Sequence, residues 1–178
     1  MRIRLLTRDL DVSQFTCGDE PHHRDLDEFL KADARRYMAT SMSQTFVGIE
    51  RGELVGYITL LMDAIWLNSD EKSLFEQVDI PPAQTIPALK VGRLARSATC
   101  TTRGVGTALM RFALDKLVDL SEQAGGRLLS VDAIPSAVEF YERLGFVPNL
   151  HNNHTGKRRG TVSMRFDAFA PTLPDWAI

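Results

Sequence analysis

The sequence is short of several things. Among its 178 residues are two cysteines, Cys17 and Cys100, too few for a disulfide framework. Neither sign of charge is in excess. The formal net charge is -2, so no global field draws nucleic acid, and any such binding must use a local patch. A long apolar run is also missing. The most apolar stretch, Tyr57 to Leu67, is broken by Asp63 and is too short to cross a bilayer. The opening residues, Met1 to Asp11, lack the apolar centre of a signal peptide. A cytoplasmic protein with no membrane partner is expected. No repeat, low-complexity tract or linker divides the chain, so residues 1–178 are expected to form one domain. What is present is ordinary: 44% apolar and 25% charged residues, enough for a real core.

The chain is organised around Ala88 to Leu120. A strand-like segment, Ala88 to Ala95, leads through a polar loop to Gly104-Val105-Gly106. Met110, Ala113, Leu114 and Leu117 then recur at the spacing of one helical face. Strand, glycine loop and helix together point unpaired N–H groups at an anion, and glycine lets a phosphate come close. A cofactor carrying a pyrophosphate is the first hypothesis; the alternative is an ordinary glycine turn before a helix. The spacing is neither the P-loop nor the three-glycine dinucleotide fingerprint.

The remaining elements read as follows. Ile3 to Leu6 is a first strand. A helix is expected with Asp25 as cap, Glu28 as its capping-box partner, and Leu26, Phe29, Leu30 and Tyr37 as its buried stripe. Lys31 and Arg35, four apart, share a face. Thr45 to Glu50 and Leu54 to Leu61 form a hairpin about Arg51-Gly52. Ser69 is expected to cap a short helix to Phe75, closed by Pro81-Pro82. Gly92, inside the central strand, marks a bulge or a close backbone approach. Arg127 to Val131 is a buried strand. Pro135 and Gly145 bracket a helix with Ala137, Phe140, Tyr141 and Leu144 on its apolar face. His151 and His154 have no third ligand, so no metal site is expected. Thr161 to Phe169 is a last strand, and the tail after Pro171 is expected to be loose unless Trp176 docks.

Two segments carry a resemblance. Thr101-Thr102-Arg103-Gly104-Val105-Gly106 resembles motif A of the GNAT acetyltransferase superfamily, with Thr101 where that motif has Arg or Gln; Arg103 can supply the missing charge. Ala137, Phe140, Tyr141, Gly145 and Phe146 match its motif B in full. The resemblance implies an α/β (α+β) fold: a mixed, mostly antiparallel sheet of about six to seven strands, splayed in a V between the fourth and fifth strands and flanked by helices. It implies that acetyl-CoA is held by Leu94, Ala95, Arg96, Thr101, Thr102, Arg103, Gly104, Val105, Gly106 and Thr107. Tyr141 would be the acid at the cofactor sulfur, and a backbone N–H near Leu94 to Arg96 the oxyanion donor. Asp132 and Glu53 are the candidates for a base.

A wider resemblance covers most of the chain. Phe15, Cys17-Gly18, Leu26-Asp27, Phe29-Leu30, Ser43 to Val47, Gly56 to Leu60, Ile86-Pro87 and Gly92 to Ala95 look like the GNAT toxins of toxin–antitoxin pairs. That family continues Gly-Arg-Leu-Ala with Val-Asp, where this chain has Arg96-Ser97. The likeness implies acetylation of the α-amine of aminoacyl-tRNA and a DNA-binding antitoxin as partner. Lys31, Arg35, Arg36, Arg93, Arg96, Lys157, Arg158 and Arg159 are then the substrate-facing residues. Alternatives are transfer to a small amine or a protein N-terminus, or a non-catalytic acyl-CoA-binding module. A homodimer is compatible with the sequence, which does not fix the oligomeric state.

Overall fold

In the computed structural model, residues 1–66, 68, 71, 85–150 and 160–178 are described. Seven strands form one mixed sheet in the order β1-β2-β3-β4-β5-β7-β6. They are β1 (Arg2–Leu5), β2 (Gln44–Glu50), β3 (Glu53–Trp66), β4 (Thr85–Arg96), β5 (Leu128–Ala133), β6 (Val147–Pro148) and β7 (Val162–Asp167). The pairs β1–β2, β2–β3, β5–β7 and β6–β7 are antiparallel. Strand β4 is parallel to β5. Among the described residues four α-helices accompany the sheet: α1 (Pro21–Glu28), α2 (Ala34–Ala39), α3 (Val105–Ala124) and α4 (Val138–Arg143). The chain divides into two compact units, one of Met1–Leu61 with Val91–Ala113, the other of Met62–Lys90 with Leu114–Ile178.

In the first unit the β2–β3 hairpin turns on Arg51 and Gly52, whose φ angles of 52° and 86° are both left-handed. A two-residue turn of this hand matches the twist of the strands, which fixes Glu50 opposite Glu53. Helix α1 starts earlier than expected. Pro21 occupies its first turn and Glu20 the cap, so Asp25 lies inside the helix and does not cap it. The proline is preset for that position. A five-residue π-turn, Phe29–Asp33, then joins α1 to α2. Phe29 and Leu30 are buried as expected, whereas Tyr37 is 37% exposed. They pack with Leu6, Val12, Phe15, Val47, Tyr57 and Ala95 in one core. The Tyr57 hydroxyl donates to the Leu26 carbonyl at 2.8 Å, and Phe15 meets the Tyr57 ring edge-on.

In the second unit β5 is apolar and buried along almost its whole length, and Leu128 packs with Ile65, Ile86 and Ala88. An aromatic row runs Tyr141, Phe146, Phe166, Trp176, with centroids 5.1–5.5 Å apart. The Trp176 indole donates to the Leu144 carbonyl at 2.8 Å, so this part of the tail is docked. Asn68 and Glu71 exchange side-chain-to-backbone hydrogen bonds, 2.8 and 3.2 Å, in the reciprocal pattern of a helix start. The expected cap, Ser69, and the segment to Phe75 and Pro81-Pro82 lie outside the described residues. Glu71 is fully buried against Arg165, at 2.7 Å, and also accepts the Leu150 N–H at 2.8 Å.

Candidate active site

The loop after β4 is built from the backbone outward. Ser97 N–H bonds the Val55 carbonyl at 2.9 Å and Ala98 N–H the Thr16 carbonyl at 2.8 Å. The Thr102 hydroxyl donates to the Glu50 carboxylate. That hydrogen bond is the main cause holding the Glu50 carboxyl below its ordinary pKa. Gly104 then takes φ +77°, which disfavours any side chain, and nothing lies within 4 Å of where a Cβ would stand. Its carbonyl receives Ala108 N–H at 2.9 Å, and α3 begins. Val105, Leu109 and Met110 are buried and hold the helix start in place. The first N–H groups of a helix have no partner inside it. An exposed left-handed glycine with open space beside it, directly before those groups, fits a diphosphate. The site fits the cofactor that the sequence implies.

Gly56 on β3 makes this geometry attainable. A Cβ there would stand 2.7 Å from the Ala95 carbonyl oxygen and 3.0 Å from Val105 Cγ1. Only a glycine lets β3 lie this close to the end of β4 and the first residue of α3. At Gly92 the tight neighbour is a side chain and not the close backbone approach expected: a Cβ would stand 2.7 Å from Leu61 Cδ2 but 3.7 Å from the Thr59 carbonyl oxygen.

Tyr141, on α4, is 5% exposed and meets Phe140 and Phe146 edge-on. Burial pushes its phenol well above the ordinary tyrosine pKa. Asp132 lies 2.8 Å from Lys90 Nζ, while Asp63 accepts the Ser130 hydroxyl at 2.7 Å. Glu53 is exposed on the hairpin.

A profile of the acetyltransferase (GNAT) domain matches residues 41–148, more than half of the chain. The chain belongs to the GNAT acetyltransferase family. Solved structures agree with this. A complex of AtaT with acetyl-methionyl-tRNAfMet is 25% identical, with a TM-score of 0.75 and 94% of each chain covered. A tyrosine-to-phenylalanine variant of the AtaT toxin, bound to the C-terminus of the antitoxin AtaR and acetyl-CoA, is 23% identical, with a TM-score of 0.69, covering 93% of this chain and 92% of that one. A tyrosine-to-phenylalanine variant of KacT is 23% identical, with a TM-score of 0.72, covering 91% and 92%. The protein is therefore an acetyltransferase whose cofactor is acetyl-CoA.

In this GNAT enzyme the expected cofactor residues fall in two runs, 94–96 and 101–107, separated by four residues. Arg96, Thr101, Arg103 and Gly104 are exposed, Leu94, Thr102, Gly106 and Thr107 half-buried, Ala95 and Val105 buried. The basic residues are more scattered in role. Arg35 donates to the Thr7 and Leu10 carbonyls at 3.2 and 2.5 Å, so its guanidinium ties down the segment after β1. Arg36 pairs with Asp33 at 2.8 Å. Arg93 stacks over the Phe29 ring, 3.8 Å from its centroid. Lys31 is exposed. Lys157, Arg158 and Arg159, like His151 and His154, lie outside the described residues. No group of three or more metal-ligating side chains occurs among the described residues, and none of their helices is long and apolar enough to cross a membrane.

Sequence reasoning gave Glu50 and Asp27 no role of their own. Asp27 accepts both the Cys17 N–H, at 2.9 Å, and the Cys17 thiol, at 3.1 Å. Desolvation, helped by that carboxylate, pushes the Cys17 thiol up to about 12. The thiol serves here as a hydrogen-bond donor to that carboxylate. Gly56 did carry a legible signal: a glycine within a strand often marks a close approach.

Proposed function

We propose that this enzyme transfers an acetyl group to the α-amine of aminoacyl-tRNA and so blocks translation. The likeness to AtaT complexed with acetyl-methionyl-tRNAfMet, over 94% of both chains, carries this reading. The chain acts as one acetyltransferase domain, residues 1–178, in the cytoplasm where charged tRNA is found. A DNA-binding antitoxin is its proposed protein partner, by analogy with the AtaT–AtaR complex bound to DNA.

Acetyl-CoA, when bound, supplies the activated acetyl thioester. Residues Thr101 to Thr107 grip its diphosphate, mainly through the amides that open α3. The backbone of Leu94, Ala95 and Arg96 would hold the pantetheine arm, and one of its N–H groups would meet developing negative charge. Tyr141 donates a hydrogen bond at the sulfur. Its raised pKa suits a donor that keeps its proton, since a free thiol, at about 8.5, is already the stronger acid. Lys31, Arg36, Arg93 and Arg96, with Lys157, Arg158 and Arg159, meet the phosphates of the tRNA; Arg35 contributes by holding the segment after β1.

The proton balance favours an α-amine. With a pKa of about 7.7–8.0, on the order of a tenth of it is neutral at pH 7, against roughly 10⁻³ to 10⁻⁴ for lysine. The two base candidates are poorly suited to a stronger base's work, Asp132 being paired with Lys90 and Glu53 exposed. The decisive experiment is mass spectrometry of charged tRNA after incubation with the protein and labelled acetyl-CoA. Label on the aminoacyl α-amine is expected. Rapid transfer to polyamines with none to charged tRNA would replace this reading with a small-amine acetyltransferase.

A further inference from the structure

The loop between Arg96 and Gly104 is anchored in two halves by different means. The first half is tied by main-chain bonds to Val55 and Thr16. In the second half Thr101, Arg103 and Gly104 are exposed, and Thr102 reaches back 52 residues to Glu50. Glu50 is the last residue of β2 and is well placed for this. It is paired with Glu53 across a turn whose two residues are both left-handed, so its backbone is fixed on the strand side. One carboxylate oxygen accepts the Thr102 hydroxyl; the other lies 3.6 Å from the Met1 amino group.

We infer that Glu50 is a positioning residue for the diphosphate loop: through Thr102 it fixes the course of the chain into Gly104, and with it the direction of the Val105 to Thr107 amides. This rests on the reading of that loop as the diphosphate grip. Two effects of Glu50 oppose each other. Its negative charge repels a diphosphate, and its hydrogen bond orders the loop that binds one. The side chain is 27% exposed, so water and salt screen the repulsion. A hydrogen bond to an ionised acceptor is among the stronger kinds, and it also removes loop freedom before the ligand arrives. Ordering wins, and removing Glu50 weakens binding.

The test is calorimetric titration of coenzyme A into the wild type, Glu50→Ala, Thr102→Val, their double variant and Thr102→Ser. The two single variants are each expected to raise Kd by about five- to tenfold. The double variant is expected to be no weaker than the weaker single, because both remove one bond. Thr102→Ser, which keeps the hydroxyl, restores wild-type affinity. Thr102→Val leaves the Met1 contact intact and so separates the loop from that contact, and it stands as the second variant if Glu50→Ala does not fold. Binding of Glu50→Ala at or above wild-type strength, or strictly additive losses in the double variant, would overturn the inference alone. Failure of the wild type to bind coenzyme A would instead overturn the reading of the loop, and the inference with it.

Discussion

The phenol of Tyr141 belongs to a side chain that is 5% exposed, and burial alone raises its pKa. Tyr57 is raised too, first by desolvation, while its hydroxyl holds the Leu26 carbonyl. For both groups the folded pKa lies above the unfolded value of about 10. The stability of the neutral phenols is thus complete below about pH 10 and is lost as pH rises beyond it. In an ultraviolet titration of phenolate, Tyr57 and Tyr141 should ionise only as the protein unfolds in alkali. Independent ionisation in folded protein, followed by circular dichroism in parallel, would contradict their burial. Replacing Tyr141 by Phe should lower kcat roughly a hundredfold, the scale of losing one aimed donor. KM for acetyl-CoA should change little, since the diphosphate grip is elsewhere, and the melting temperature should move by no more than a few degrees. A large KM change with kcat intact would remove the residue from the chemistry.

At the level of elements, β3, the end of β4 and the start of α3 meet at Gly56. A methyl group there would press on the Ala95 carbonyl oxygen at 2.7 Å, and backbone cannot swing aside as a flexible side chain does. Gly56→Ala is expected to destabilise by about 1–3 kcal/mol and to weaken coenzyme A binding. Urea melts and calorimetry on the variant and the wild type check this. The element scale is also where sequence reading did best. The stripe of Met110, Ala113, Leu114 and Leu117 is buried throughout, and the hairpin turns on Arg51-Gly52. Such elements are set by residues a few positions apart, so a single stretch contains all the information. Helix α1 was misread at its start because an acid three residues before another acid outweighed a proline preset for the first turn. Strand β6 was overlooked because two residues, Val147 and Pro148, leave no periodicity to read.

Across the whole molecule, what the sequence hid are pairings between distant residues. Glu71 and Arg165 are 94 positions apart, and Asn149 joins them at 2.8 Å from the guanidinium. Nothing local in either stretch says that these charges are buried together, because burial is decided by the fold. Removing one partner strands the other charge away from water. Glu71→Ala is therefore expected to cost roughly 3–5 kcal/mol, far more than Glu139→Ala in the exposed pair with Arg143, and denaturant melts of both should show it. The grip on the cofactor has the opposite character. As proposed here, it would rest largely on main-chain amides at the head of α3, and every amino acid but proline brings an amide. Side-chain substitution can then drift through Thr101, Arg103 and Thr107 without erasing the grip, so long as Gly104 keeps its left-handed turn. Alanine scanning would pass almost silently over those three positions, with Thr102 standing out between them, and descent from a common ancestor would be kept there in shape long after it had faded from the letters.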